Sequence, residues 1–182
     1  MKYKVQRVVP PKDLRNTENG KLPQSVLKQI EGGHLHHLAA DAWNAMVAAG
    51  ARRGIALKPI SRWDTYRPYE RQESLFYARY QTKKRITRVT RSWQGKTWYL
   101  KKGVAPAAVP GTSNHGWGLA IDVANASGST LRWLNDNAHK FGFSWEVESG
   151  PNAEAWHIRY HAGDNIPSKV QEYLDLTKPK AP

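Results

Sequence analysis

The sequence predicts an α+β fold, a small antiparallel sheet flanked by helices, and three observations carry that prediction. Apolar residues recur at helical spacing from His34 to Gly50, where Leu35, Leu38, Ala42, Met46 and Ala49 share a face. Thr90–Trp93 and Thr97–Leu100 flank Gln94-Gly95-Lys96, which is the pattern of a hairpin. Leu119 to Val123 and Trp156 to Tyr160 are apolar runs of strand length. At 182 residues the chain has room for one domain with a real core and is too short for two comfortable ones.

The elements follow in order. Residues 1–33 read as an irregular N-terminal arm packing on the domain, broken at Pro10-Pro11, Asn19-Gly20 and Gly32-Gly33, with a short helix allowed around Ser25 to Ile30. The folded domain spans residues 34–176. After the first helix, Ile55 to Ser61 is expected as a strand that delivers Tyr66-Arg67. Pro68 then opens a helix over Tyr69 to Tyr80, with Gln72, Leu75, Phe76 and Arg79 on one face. The hairpin lies within a basic run, Lys83 to Lys102, which contains no acid, and a Pro/Ala-rich loop follows from Gly103 to Gly111. Ser129 or Thr130 can cap a helix whose inner stripe is Leu131, Leu134, Ala138 and Phe141, and Gly142 ends it. Pro167 to Leu174 closes the domain as a helix, and residues 177–182 read as a flexible tail.

Composition narrows the chemistry. There is no cysteine, so disulfides, thiolate metal sites and a cysteine nucleophile are excluded. A formal net charge of +13 points to an anionic partner, either nucleic acid or an acidic polymer. The segment Met1 to Pro11 lacks a signal-peptide apolar stretch, and no run is long enough to span a bilayer, so the product is expected to be cytoplasmic when made.

The informative segment is Ser113-Asn114-His115-Gly116-Trp117-Gly118-Leu119-Ala120-Ile121-Asp122. Two glycines close to His115 favour a tight loop over a regular helix. Asp122 is an acid inside an apolar strand, where burial costs several kcal/mol unless the carboxylate is paired or bound to a cation. His157 sits in a second apolar strand, within Glu154-Ala155-Trp156-His157-Ile158-Arg159-Tyr160. His115, Asp122 and His157 supply two nitrogens and one oxygen, a set that leaves a fourth tetrahedral position for water, as in catalytic zinc sites. Glu154 is the candidate base for that water. It converges with His157 only if the strand begins after Glu154, since residues three apart on a strand face opposite ways.

These motifs resemble the LAS metallopeptidases, the group of D-Ala-D-Ala carboxypeptidases, vancomycin-resistance D,D-peptidases and phage L-alanyl-D-glutamate endolysins, whose fold the Hedgehog signalling domain shares. Ser113, His115, Gly118, Ala120 and Asp122 match the first motif, and Glu154, Trp156 and His157 the second. Tyr66-Arg67 with Gln72 resembles a third, upstream motif. The resemblance covers roughly Leu57 to Tyr160. It implies a Hedgehog/D,D-peptidase-like fold and one zinc ion held by His115, Asp122 and His157. It also implies Arg67 as the cation that holds a substrate carboxylate or stabilises an oxyanion, with Gln72 and Ser113 as supporting substrate-binding residues. The lead-in Asn19-Gly20-Lys21-Leu22-Pro23, and the hairpin followed by Pro110-Gly111-Thr112, look most like the phage lysis branch.

The expectation is thus a zinc peptidase, monomeric by default, acting on the stem peptide of peptidoglycan as an L-Ala-D-Glu endopeptidase. On this reading it acts on the wall once the host membrane is breached, concentrated there by anionic wall polymers. The alternatives are a D-Ala-D-Ala carboxypeptidase and a non-catalytic module, either a zinc-stabilised wall binder or a basic nucleic-acid binder, although no specific nucleic acid is expected. Arg67 could instead pair with Asp64 or Glu70, and Ser113 could simply bond the loop backbone. His34, His36 and His37 are expected on a helix surface, His161 is a poorer ligand than His157, and Glu146 and Glu148 are alternative bases.

Overall fold

In the computed structural model, which describes residues 1–178, the core gathers around one central helix, α1 (His37–Ala51). Its Ala39, Ala40, Ala42, Trp43, Ala45 and Met46 are all buried. The small residues let neighbouring elements approach closely, while Trp43 and Met46 fill the space between them.

A two-stranded hairpin, β1 (Leu27–Ile30) and β2 (Gly33–His36), leads directly into α1. This corrects two expectations: the helix allowed around Ser25 to Ile30 is a single 3-10 turn followed by a strand, and α1 begins three residues later than its periodicity suggests. The cause is Gly32-Gly33, which folds Ile30 back onto Gly33, with Gly32 at φ 83°. His34 and His36 therefore lie on a strand, and His36 is wholly buried instead of lying on a helix surface.

Ile55 to Ser61 is not a strand. Pro59 makes one isolated bridge to Val123, and a proline without an N–H cannot carry a ladder further. Two hydrogen bonds still tie this segment to the metal-motif strand, from Ile60 N to Asp122 O (2.9 Å) and from Ala124 N to Lys58 O (2.9 Å).

Helix α2 (Tyr69–Arg79) runs into a second sheet, formed by β3 (Tyr80–Gln81), β4 (Thr90–Trp93) and β5 (Lys96–Leu100) in the order β3-β5-β4. Gln94 and Gly95, at φ 50° and 69°, make the tight turn between β4 and β5. The third sheet holds β6 (Ala120–Asp122), β7 (Phe143–Trp145) and β8 (His157–Tyr160) in the order β6-β8-β7, all antiparallel. Between them, α3 (Gly128–Asn137) has its N-cap at Ser127, two residues before the expected cap, and runs through a 3-10 turn to Gly142 at φ 81°. α4 (Ser168–Thr177) packs on α1. Thr177, expected in the tail, is the last residue of α4, and 179–182 lie outside the described residues.

The N-terminal segment is more ordered than expected. Val5 bridges Trp145 and Val9 bridges Ala162, both in parallel, so the arm extends the β6-β8-β7 sheet at its β7 edge. Tyr3 stacks on Trp145 at 4.9 Å between ring centroids.

Candidate metal centre

In the β6–β8 ladder Asp122 pairs with His157 and Ile121 with Ile158. Side chains alternate along a strand, so this register sends both isoleucines into the core and Asp122 and His157 together to the opposite face. His115 reaches the same point from a 3-10 turn, Asn114–Trp117. Gly118 ends that turn at φ 64°, and its carbonyl accepts from His36 N (2.9 Å). A Cβ there would lie 2.7 Å from that same nitrogen, so both conformation and space require glycine.

The three side chains converge. Asp122 Oδ1 is 2.7 Å from His157 Nδ1, and Oδ2 is 3.4 Å from His115 Nε2. One ligand atom from each residue lies within 4.8 Å of the others. Burial opposes ionisation of Asp122, but the two imidazoles beside it, His115 and His157, outweigh it and hold its carboxyl far below the usual range.

The proton on His115 is set by its other neighbour. Its Nδ1 lies 3.0 Å from the carbonyl oxygen of Thr65, which can only accept. Nδ1 therefore carries the hydrogen, and the Nε2 lone pair is directed at the centre, the arrangement that a metal-binding imidazole needs. Two imidazole nitrogens and an ionised carboxylate beside an open groove fit a zinc ion with one position left for water.

A second cluster, Asp13, His36 and His37, meets the same distance criterion and fails the chemical one. His36 Nδ1 accepts from Leu38 N (3.3 Å), so its Nε2 carries the hydrogen and donates to Asp13 Oδ1 (2.9 Å). The lone pair a metal would need is already engaged. Burial lowers the His36 pKa, keeping the ring neutral. Burial also works against ionisation of Asp13, yet the bonds from His37 and His36 prevail and its carboxyl sits below its ordinary range. The cluster ties the N-terminal segment to the start of α1.

The converging ligands sit in a groove of about 430 Å³ that is also lined by Arg67, Arg79, Ser113, Glu146, Glu154 and Trp156. β8 begins at His157, so Glu154 lies in the preceding turn, with its carbonyl accepting from His157 N (3.2 Å). The geometric condition on Glu154 and His157 is thereby met, and Glu154 is exposed at the groove. Arg67 pairs with Asp64 (3.2 Å) and donates from Nε to Trp63 O (2.9 Å), which fixes the guanidinium at the groove wall. Burial pulls its pKa down while Asp64 pulls it back up.

Gln72 is almost fully buried and turned inward. Its Nε2 donates to Asn19 Oδ1 (3.0 Å) and to Arg67 O (3.1 Å), and its Oε1 accepts from Gly111 N (3.0 Å). These bonds tie three loops together at the place where Gln72 borders the groove. Ser113, also buried, borders the groove, and its carbonyl accepts from Asn19 Nδ2 (2.8 Å).

Asn19 is the residue that sequence reasoning missed. It joins the arm, α2 and the His115 loop, and the adjacent Gly20 N donates to Gly116 O (2.8 Å). Asn-Gly signals a turn, but nothing local ties it to a loop nearly a hundred residues away. Glu146, the alternative base, borders the groove 3.8 Å from His157 Nε2, held by Asn114 (3.1 Å) and Arg159 (3.5 Å). Glu148 pairs with Lys2 (3.7 Å), and His161 is not part of the converging group.

Comparison with known proteins places this geometry in context. The family model VanY, D-alanyl-D-alanine carboxypeptidase, matches residues 32–163. The YodJ protein of Bacillus subtilis is 30% identical over 167 residues, covering 82% of this chain and 54% of that protein. A D-alanyl-D-alanine carboxypeptidase of Enterococcus faecalis is 32% identical over 136 residues, covering 62% and 46%. The chain thus spans about half the length of the curated relatives it matches. Among solved structures, the vancomycin-resistance D,D-pentapeptidase VanY in complex with Zn(II) aligns with a TM-score of 0.50 at 22% identity, over 84% of this chain and 87% of that one. The LdcB LD-carboxypeptidase aligns with a TM-score of 0.53 at 24% identity, over 96% and 75%. These likenesses establish the shared α+β peptidase fold.

Proposed function

The chain belongs to the VanY D-alanyl-D-alanine carboxypeptidase family, and from that premise we propose that it is a zinc-dependent carboxypeptidase that trims the stem peptide of peptidoglycan. The observation that carries this reading is the convergence of His115 Nε2, Asp122 and His157 Nδ1 at the floor of a groove lined by both Arg67 and Glu154. Bound to these three residues, zinc supplies Lewis acidity, which polarises a scissile carbonyl and lowers the pKa of water to about 7.

The other steps fall to side chains. Glu154, exposed in the turn before β8, takes the proton from the attacking water and returns it to the leaving amine. Arg67, fixed by Asp64 and Trp63, holds the substrate's terminal carboxylate or the negative charge that develops on the carbonyl oxygen. Ser113 adds a hydroxyl at the groove edge, and Gln72 and Asn19 position the loop that carries it.

Of the two cleavage reactions considered, the matched family supports removal of a terminal D-Ala over cleavage between L-Ala and D-Glu. The lead-in around Asn19, which suggested the endolysin branch, has a structural role of its own in bracing the His115 loop. The proposed place of action is the cell wall, and no helix among the described residues is long and apolar enough to cross a membrane.

The test is mass spectrometry of the zinc-loaded protein acting on a stem pentapeptide ending in D-Ala-D-Ala. Release of free D-Ala with a tetrapeptide remainder is expected. A cut after the first residue would restore the endopeptidase reading, and an uncut peptide with zinc bound would overturn both.

A further inference from the structure

From Ser74 to Ile121 the chain has no acidic residue, yet Arg79 to Lys102 carries nine cations, most of the net +13. Among the described residues none of the nine is in an ion pair, whereas Lys21, Lys28, Lys169 and Lys178 elsewhere each have a carboxylate partner. Arg79, Arg85, Arg91 and Lys101 donate to backbone carbonyls. Lys83, Lys84, Arg88, Lys96 and Lys102 are exposed. Holding so many like charges together without counter-charges works against the fold, so an external polyanion is their natural complement.

The register of the sheet defines the surface. Arg91 pairs with Trp98 and Trp93 with Lys96, so these share one face, and both indoles pack on Phe76 of α2, at 4.9 and 5.3 Å between centroids. The opposite face presents Thr90, Ser92 and Thr97 to solvent, with Gln81 and Tyr99 half-exposed. It is a hydroxyl-rich face, and the exposed Lys83, Lys84, Arg88 and Lys102 lie in the loops that lead into and out of its strands. Its continuity with the groove is direct: Arg79, at the end of α2, and Ala105–Ala108, in the loop after β5, both line it.

We infer that the outward face of the β3-β5-β4 sheet is a docking surface for a phosphodiester-linked polyol polymer of the cell wall. The cations meet the phosphates, and the Thr, Ser and Tyr hydroxyls meet the polyol. Trp93 and Trp98 are half-buried against Phe76 on the inner face, which leaves Tyr99 as the one aromatic ring on the outward strand face, whereas single-stranded nucleic acid is held by successive bases stacking on several exposed rings. The inference rests on the wall-peptidase reading and explains how the groove is kept beside its substrate.

The test compares the full, zinc-loaded chain with the variant Lys83→Gln, Lys84→Gln, Arg88→Gln, Lys102→Gln. Both are sedimented with purified walls that carry poly(glycerol phosphate) chains, and with the same walls after acid stripping of those chains. Wild type is expected to lose at least about tenfold in binding on stripping, and the variant a similar factor on intact walls, because each cation near an anionic surface contributes measurably. Release of D-Ala from a soluble pentapeptide should be equal in the two proteins, which reports the fold and tests the peptidase reading separately. Equal binding to stripped and intact walls, or an unimpaired variant, would overturn the docking surface. So would single-stranded DNA displacing the protein from walls as well as soluble poly(glycerol phosphate) does at equal charge.

Discussion

Asp122 and His157 are register partners on adjacent antiparallel strands, and the aspartate's Oδ1 lies 2.7 Å from the imidazole Nδ1. Backbone pairing thus aims two metal-ligand candidates at one point, and only His115 has to be delivered by a loop. Asp122→Asn keeps the shape and removes the charge. Zinc affinity should fall more than about tenfold, since even indirect partners of metal ligands are worth 10- to 100-fold. Metal content after equilibrium dialysis gives the answer, and unchanged occupancy would remove Asp122 from the site.

Glu154→Gln separates binding from chemistry. The variant should retain zinc, while the rate of D-Ala release drops by roughly 10²- to 10⁴-fold, the range of general acid–base catalysis. Activity within a factor of a few of wild type would transfer the role elsewhere, with Glu146 the neighbour to examine next.

Gly116→Ala tests the brace on the His115 loop. A Cβ at 116 would overlap Asn19 Oδ1 and lie 2.5 Å from Gln72 Nε2. A loss of about 1–3 kcal/mol is expected, as for other overpacked sites. Adding Asn19→Ala opens the space, so the double variant should be more stable than the sum of the single effects. Strict additivity in thermal melts would mean that the clash is relieved by some other route.

Stoichiometry should be one zinc per chain, because the second His/Asp cluster engages its lone pair in the bond from Leu38 N. Asp13→Ala is expected to leave metal content unchanged while lowering the melting temperature. A second bound zinc in wild type that disappears in Asp13→Ala would overturn the tautomer argument.

Alkaline stability should depend on Tyr160. Burial, then the negative charges of Asp164 and Asp41, push its hydroxyl up to about 12 from an ordinary value of 10.0. A group whose pKa is raised on folding contributes stability that is complete below its unfolded pKa and is lost as pH climbs through the folded one. Wild type should therefore weaken between about pH 10 and pH 12 more steeply than Tyr160→Phe. The variant carries a constant offset of about 1 kcal/mol from the lost bond to Asn165 O. Parallel denaturation curves across that window would show that Tyr160 does not report on folding.

What the sequence made legible was local chemistry. The spacing of His115, Gly118 and Asp122, and of Glu154 and His157, specified a turn into a strand and a turn before a strand, and each turned out so because glycines and strand-formers left few other conformations. The hairpin around Gln94-Gly95 was equally local. Long-range relationships were out of reach. Asn19 acts through partners at 72 and 113, His115 is oriented by a backbone carbonyl at Thr65 that any residue type could supply, and β7 shows no clear alternation. The strand expected at Ile55 to Ser61 failed at its own Pro59, where a local rule was outweighed by apolar composition.

The match to the family begins at residue 32, yet the brace on the His115 loop comes from residues 19 and 20. A fragment trimmed to the recognisable region, or a chimera joined there, would inherit all three metal-ligand candidates and leave behind the partner of β2 and the amide that grips Ser113. For engineering, the smallest transferable unit is therefore set by hydrogen bonds across the molecule, and a cut made by motif would yield the right residues on a slack frame.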